Sequence, residues 1–147
     1  MHLYEAVWNM KKKILLVEDN PDLRDLVQKQ LGLLGYDSIL ARDGQEAIRL
    51  AESERPDVII MDLFLPKFDG LEAAARIRKN PDLKFVPIVA ATGRAEPGDR
   101  ELCLNAGCDE YLAKPYAPQD LGDVLRRLLK KTRRSSRACT SGSNNAH

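Results

Sequence analysis

Short apolar runs alternate with segments of helical spacing along almost the whole chain, and this alternation restricts the fold more than any other feature. The runs are Lys13 to Val17, Ser38 to Ala41, Asp57 to Asp62, Val86 to Ala91 and Glu110 to Ala113. Each is too short for a buried helix and reads as a strand. Strands that alternate with helices argue for an α/β fold with a parallel sheet covered on both faces. Crossovers are right-handed, so helices reach both faces only where the strand order reverses. A crevice opens at that reversal, beyond the carboxyl ends of the strands.

Local signals mark the helices. Asn20 is a suitable N-cap and Pro21 suits the first helical position. Leu23, Leu26, Val27, Gln30, Leu31 and Leu34 follow with helical spacing, and Gly35 ends that helix. Asp43-Gly44 turns into a helix with Ala47, Ile48 and Ala51 on one face, broken by Pro56. A third helix follows Gly70 and stops at Asn80-Pro81, and a polar fourth spans Gly98 to Asn105. The last has Leu121, Val124, Leu125, Leu128 and Leu129 on one stripe, the cleanest amphipathic pattern in the chain.

Bulk properties exclude other classes. A length of 147 residues suits one domain. No apolar run approaches the roughly 20 residues that cross a bilayer, and residues 1–10 lack a signal-peptide core. A cytoplasmic location, with no membrane partner, is the expectation. Three cysteines, Cys103, Cys108 and Cys139, have no metal-ligand spacing and read as reduced thiols. Net charge is +1, but residues 130–147 hold five basic residues and no acid. With its Ser, Thr, Asn and Gly content, that tail reads as a solvated, disordered end rather than a nucleic-acid contact. The expected division is an extension over residues 1–10, disordered, one domain over residues 11–131, and a disordered tail over residues 132–147.

The chemistry lies at the strand ends. Glu18 and Asp19 end the first strand and Asp62 ends the third. Carboxylates crowded at one edge repel, which raises a pKa or calls for a cation. Mg²⁺ suits a site made of a few carboxylates, waters and phosphate oxygens. The same acids also suit helix capping, and Asp19 or Asn20 is placed for that. Thr92 ends the fourth strand with a hydroxyl, and Lys114 ends the fifth with an ammonium. Metal, ammonium and hydroxyl together stabilise a phosphoryl group in transfer, with Asp62 as the nucleophile.

From Lys11 to about Lys131 the chain resembles the receiver domain of two-component response regulators, of the stand-alone chemotaxis-regulator kind. The matching stretches are Ile14 to Asn20, Asp62 to Pro66 with Asp69-Gly70, Ala91-Thr92, Gly107 to Tyr111, and Lys114-Pro115. The resemblance implies a doubly wound, flavodoxin-like sheet of five parallel strands in the order 2-1-3-4-5. It implies that Asp62 accepts a phosphoryl group from a sensor histidine kinase or histidine phosphotransfer protein. Asp19, Asp62 and the main-chain carbonyl of Phe64 would bind Mg²⁺, with Glu18 acting through a metal-bound water. Thr92 would turn to the phosphoryl group, Tyr111 would follow as the aromatic switch, and Lys114 would bind a phosphoryl oxygen across a cis Lys114-Pro115 bond. The chain would be no turnover enzyme, catalysing only its own phosphoryl transfer and autodephosphorylation. Its output would be an altered surface on the fourth helix, fifth strand and fifth helix. That surface would meet an output protein the sequence does not name, or a second copy through Asp109, Glu110, Arg126 and Arg127.

Two residues depart from the family's pattern. Phe64 and Arg94 flank the path of the attacking water in this resemblance, and a bulky apolar and a long cationic residue there are expected to slow hydrolysis. Two other classes compete. An aspartate-nucleophile phosphatase would carry a second acid where this chain has Phe64. An FMN carrier would need a Ser/Thr/Gly-rich loop after the first strand, where this chain has Glu18-Asp19-Asn20-Pro21-Asp22. Met10-Lys11-Lys12-Lys13 reads as a natural start. The chain is then either a stand-alone receiver or one excised from a longer regulator.

Overall fold

The computed structural model describes residues 11–63, 70–93 and 97–130. In chain order the elements are β1 (Lys13–Val17), α1 (Pro21–Leu33), β2 (Asp37–Ala41), α2 (Gly44–Glu54), β3 (Val58–Asp62) and α3 (Gly70–Lys79). A 3₁₀ turn (Pro81–Leu83), β4 (Ile88–Thr92), α4 (Asp99–Asn105), β5 (Glu110–Ala113) and α5 (residues 118–130) complete them. The five strands form one parallel sheet in the order β2-β1-β3-β4-β5. The chain steps one way from β1 to β2 and the other way thereafter. Right-handed crossovers therefore place α1 and α5 on one face and α2, α3 and α4 on the other.

Strand alternation divides the core accordingly. Ile14, Leu16, Val58, Ile60, Val89 and Ala91 meet Val27 and Leu31 of α1 and the α5 stripe of Leu121, Val124, Leu125 and Leu128. Leu15, Val17, Ile59, Met61, Ile88 and Ala90 meet the second layer, built on Ala47, Ala51, Ala73, Ala74 and Ile77. Alanines on α2 and α3 let those helices lie close to the sheet.

The Asn20 cap and the Gly35 stop follow the sequence, and Asp43 adds a cap it did not mark. Asn20 Oδ1 accepts from the Asp22 and Leu23 amides at 2.9 and 3.2 Å, a cap worth about 1 kcal/mol. Gly35, at φ 94°, ends α1, and the Tyr36 amide turns back to the Leu31 carbonyl at 2.9 Å. Asp43 caps α2 through the Glu46 amide at 2.8 Å. Strand starts differ from the sequence reading by one or two residues: β2 begins at Asp37, β3 at Val58, and β4 at Ile88, after a 3₁₀ turn over residues 81–83 capped by Asn80.

The amino-terminal edge of the sheet is fastened by Arg78, which sequence periodicity gave no reason to single out. Its guanidinium donates to the carbonyls of Gly107 (2.8 and 3.1 Å), Lys84 (3.0 Å) and Val86 (2.6 Å). It also pairs with Asp109 Oδ2 at 2.9 Å, and the same oxygen accepts the Ile88 amide at 2.9 Å. The two segments that lead into β4 and β5 are thus tied to the end of α3.

Candidate functional site

Parallel register sets the carboxyl ends of β1, β3, β4 and β5 side by side. Val17 lies opposite Met61, Asp62 opposite Ala91, and Thr92 opposite Ala113. The residues that leave these ends therefore share one edge: Glu18 and Asp19 after β1, Asp62 and Thr92 as the last residues of β3 and β4, and Lys114 after β5.

Carboxylate oxygens of Glu18, Asp19 and Asp62 lie within 4.8 Å of one another. Glu18 is buried at 4% exposure and Asp19 is exposed. The backbone fixes Glu18 firmly. Its amide donates to the Ala41 carbonyl at 3.0 Å, and its own carbonyl accepts from Arg24 Nη1 at 3.0 Å. Its Oε2 accepts the Asn20 amide at 3.2 Å.

Lys114 reaches into this cluster from β5. Its ammonium donates to Glu18 Oε1 in a short contact and to Asp62 Oδ2 at 3.1 Å. Burial alone would pull its pKa down, but the hydrogen bond to Glu18 and the charges of Asp62 and Glu18 outweigh that and leave it raised. The expected cis bond joins Lys114 to Pro115. Thr92 is buried at 1% exposure at the end of β4, and its carbonyl accepts the Lys114 amide at 2.7 Å. Tyr111 is half-buried, on the opposite face of β5's neighbourhood from the α1–α5 layer, packed against the α2–α4 core.

The donor set fits a hard divalent cation. All three side-chain donors are carboxylate oxygens, their charge exceeds what one ammonium neutralises, and Asp19 leaves the site open to solvent. Phe64, whose carbonyl the resemblance adds to the set, and Arg94 lie outside the described residues. So do the extension over residues 1–10, Lys131 and the tail over residues 132–147.

One site residue escaped the sequence reading. Tyr116 packs beside the cluster, and burial first, then the charges of Glu18 and Asp62, push its phenol up to about 12. With Glu18, Lys114, Leu23 and Leu26 it lines an open cleft of about 420 Å³ between α1 and the segment after β5. Its position two residues after Lys114 was the available signal. Gly70, which the resemblance already included, also bears on the site. A Cβ there would meet the Asp62 carbonyl oxygen at 2.4 Å and Leu63 Cα at 2.8 Å, so only glycine lets α3 start so close to the end of β3.

Asp109, Glu110, Arg126 and Arg127, read as candidates for pairs between two copies, all have partners within one chain. Asp109 pairs with Arg78 at 2.9 Å, Glu110 with Arg127 at 3.2 Å, and Arg126 with Asp123. Among the described residues no helix is long and apolar enough to cross a membrane.

The family model for the response regulator receiver domain matches residues 14–126. The chain is 40% identical over 123 residues to the alkaline phosphatase synthesis transcriptional regulatory protein PhoP of Bacillus subtilis, covering 84% of this chain and 50% of that protein. It spans about half the length of the curated relatives it matches. Among solved structures, it is 44% identical to the receiver domain of the sensor histidine kinase PA1611 from Pseudomonas aeruginosa. The TM-score is 0.78, with 82% of this chain and 99% of that one covered, and that structure holds a magnesium ion coordinated in its active-site cleft. Chemotaxis response regulator CheY4 of Vibrio cholerae is 33% identical with a TM-score of 0.76, covering 81% of this chain and 99% of that one. With the sheet order, the strand-end cluster and these likenesses in agreement, the chain belongs to the response regulator receiver domain family of two-component systems.

Proposed function

We propose that this chain is a phosphorylation-activated switch in which Asp62 accepts a phosphoryl group in a Mg²⁺-dependent reaction. The gathering of Glu18, Asp19 and Asp62 within 4.8 Å, with Lys114 bridging two of them, carries this reading. Asp19 and Asp62 would hold the cation, with Glu18 acting through a water, and the cation would supply charge neutralisation and Lewis-acid polarisation for the incoming phosphoryl group. An Asp62 carboxylate oxygen attacks phosphorus, and the donor's nitrogen or oxygen leaves with the electron pair. Lys114 and Thr92 then gain a doubly charged partner that they lack beforehand. They bias a two-state element made of α4, β5 and α5, with Tyr111 following. The phosphoryl source is a sensor histidine kinase or histidine phosphotransfer protein, and the chain turns over no external substrate. The output is a protein contact, or a second copy, at the α4-β5-α5 face, and the setting is cytoplasmic.

Incubation with acetyl phosphate tests this directly. Intact mass should rise by one phosphoryl group in Mg²⁺, stay unchanged in chelator, and stay unchanged for Asp62→Asn under both conditions. Labelling that survives Asp62→Asn at full extent would remove Asp62 from its role. Phe64 and Arg94 are proposed to prolong the phosphorylated state, so Phe64→Asn with Arg94→Glu should shorten it several-fold. An unaltered decay would show that neither residue guards the aspartyl phosphate.

A further inference from the structure

Helix α4 ends in a Schellman motif. The Cys108 amide donates to the Cys103 carbonyl at 3.0 Å, the Gly107 amide to the Leu104 carbonyl at 3.1 Å, and Gly107 has φ 104°. In this motif the side chains three residues before the cap and two residues after it are brought into contact, ordinarily as an apolar pair. Here both positions are cysteine. The two thiols lie in one core cluster at 0% and 5% exposure, free and close enough for the charge of Cys103 to act on Cys108. Nothing in the phosphoryl site uses them.

We propose that Cys103 and Cys108 close into a reversible intramolecular disulfide across the end of α4, a thiol-modification site separate from the Asp62 centre. The oxidant is of the low-molecular-weight disulfide class, such as glutathione disulfide. A Cys108 thiolate attacks one sulfur of the oxidant and expels a glutathione thiolate. The Cys103 thiolate then attacks the Cys108 sulfur of the mixed disulfide and expels the second. Two protein thiols and one glutathione disulfide become one protein disulfide and two glutathione thiols. The two protons go to the departing thiolates.

The reaction is gated by the fold. Burial first, then the charges of Cys103 and Asp109, push the Cys108 thiol up to about 12, so the closed structure holds almost no thiolate at neutral pH. Opening of α4 is needed, and α4 is short and lightly held. It has seven residues, no side-chain hydrogen bond at its N-cap, and leaves Leu102 and Leu104 at 51% and 44% exposure. Only four residues separate the two cysteines, so closing the loop constrains the unfolded chain little. The consequence is local: the last turn of α4 is bound to the entry of β5.

The test uses the full chain carrying Cys139→Ser, so that only the pair remains, treated with glutathione disulfide near pH 8. The expected product is lighter by two hydrogens, and chymotryptic fragments cut at Leu104 stay joined until reduced. Cys103→Ala and Cys108→Ala should each give no such product. Amides from Leu102 to Gly107 should exchange about tenfold more slowly in the oxidised form. The proposal is overturned by thiols that stay unreacted while a denatured control oxidises, by glutathione adducts that never resolve, or by unchanged exchange. None of these readouts depends on phosphorylation of Asp62.

Discussion

Replacing Lys114 with Met keeps most of the side chain's length and removes the ammonium from between two carboxylates. In the metal-free protein that ammonium is 3.1 Å from Asp62 Oδ2 and also holds Glu18, and the three side chains are 16%, 13% and 5% exposed. At an effective dielectric of about 20, one contact at that distance contributes roughly 5 kcal/mol before desolvation. Two such contacts, less several kcal/mol for burying the ammonium, leave a net of about 3–5 kcal/mol, the range seen when one partner of a buried pair is removed. Lys114→Met should therefore lose about that much stability in urea titrations with chelator present. A second effect distinguishes this from simple loss of packing. Without the ammonium, the carboxylates of Glu18, Asp19 and Asp62 face one another uncompensated, and a divalent cation is the remaining way to offset their charge. Saturating Mg²⁺ should restore more stability to Lys114→Met than it adds to the parent chain, because binding to the folded state alone shifts the equilibrium by mass action. A loss below about 1 kcal/mol in chelator would refute the electrostatic account. So would a Mg²⁺ increment no larger than the parent's.

Other outcomes follow from the same geometry. Gly70→Ala forces a Cβ into the Asp62 carbonyl and Leu63, and should cost about 3 kcal/mol in urea titration; a neutral result would mean that α3 starts elsewhere. Arg78→Lys should cost about 3 kcal/mol as well, since an ammonium cannot reproduce the forked contacts to Gly107, Val86 and Asp109. Recovery to parental stability would contradict that. Alkaline titration should weaken the fold. Tyr116 and Cys108 rise to about 12 from ordinary values of 10.0 and 9.0, and Lys114 rises from 10.5. Over that window the unfolded chain has released protons that the native chain keeps, so stability is full below the unfolded pKa values and falls as pH climbs toward the folded ones. Tyr116→Phe should flatten part of that limb, and an unchanged slope would count against the burial of Tyr116 beside the acids.

Chain order and local caps were legible residue by residue. The Asn20 cap, the turn into α2 at Asp43-Gly44, the stop at Gly35 and the α5 stripe all depend on neighbours a few residues away, and all stand where the sequence puts them. The 3₁₀ turn before β4 was missed because Val86-Pro87 continues an apolar run, while the backbone there is held by Asn80 and Arg78. The site was legible in part. Glu18, Asp19, Asp62, Thr92 and Lys114 each announce themselves as polar residues at the ends of apolar runs. Arg78, Tyr116 and the Cys103–Cys108 contact did not, since each matters only through what the folded chain sets beside it.

The sequence by itself determined that strands and helices alternate, where most of them end, and which polar residues stand at the strand ends. Those properties arise from hydrogen bonding and apolar spacing within a few residues. Local pattern left open what only the family resemblance implied and the tertiary structure decided: β1 sits between β2 and β3, which brings Glu18 and Asp19 against Asp62 and lets Lys114 reach across from β5. The physical reason is range: strand register and a shared charge balance are set by partners tens of residues apart, and no local preference encodes the distance between them.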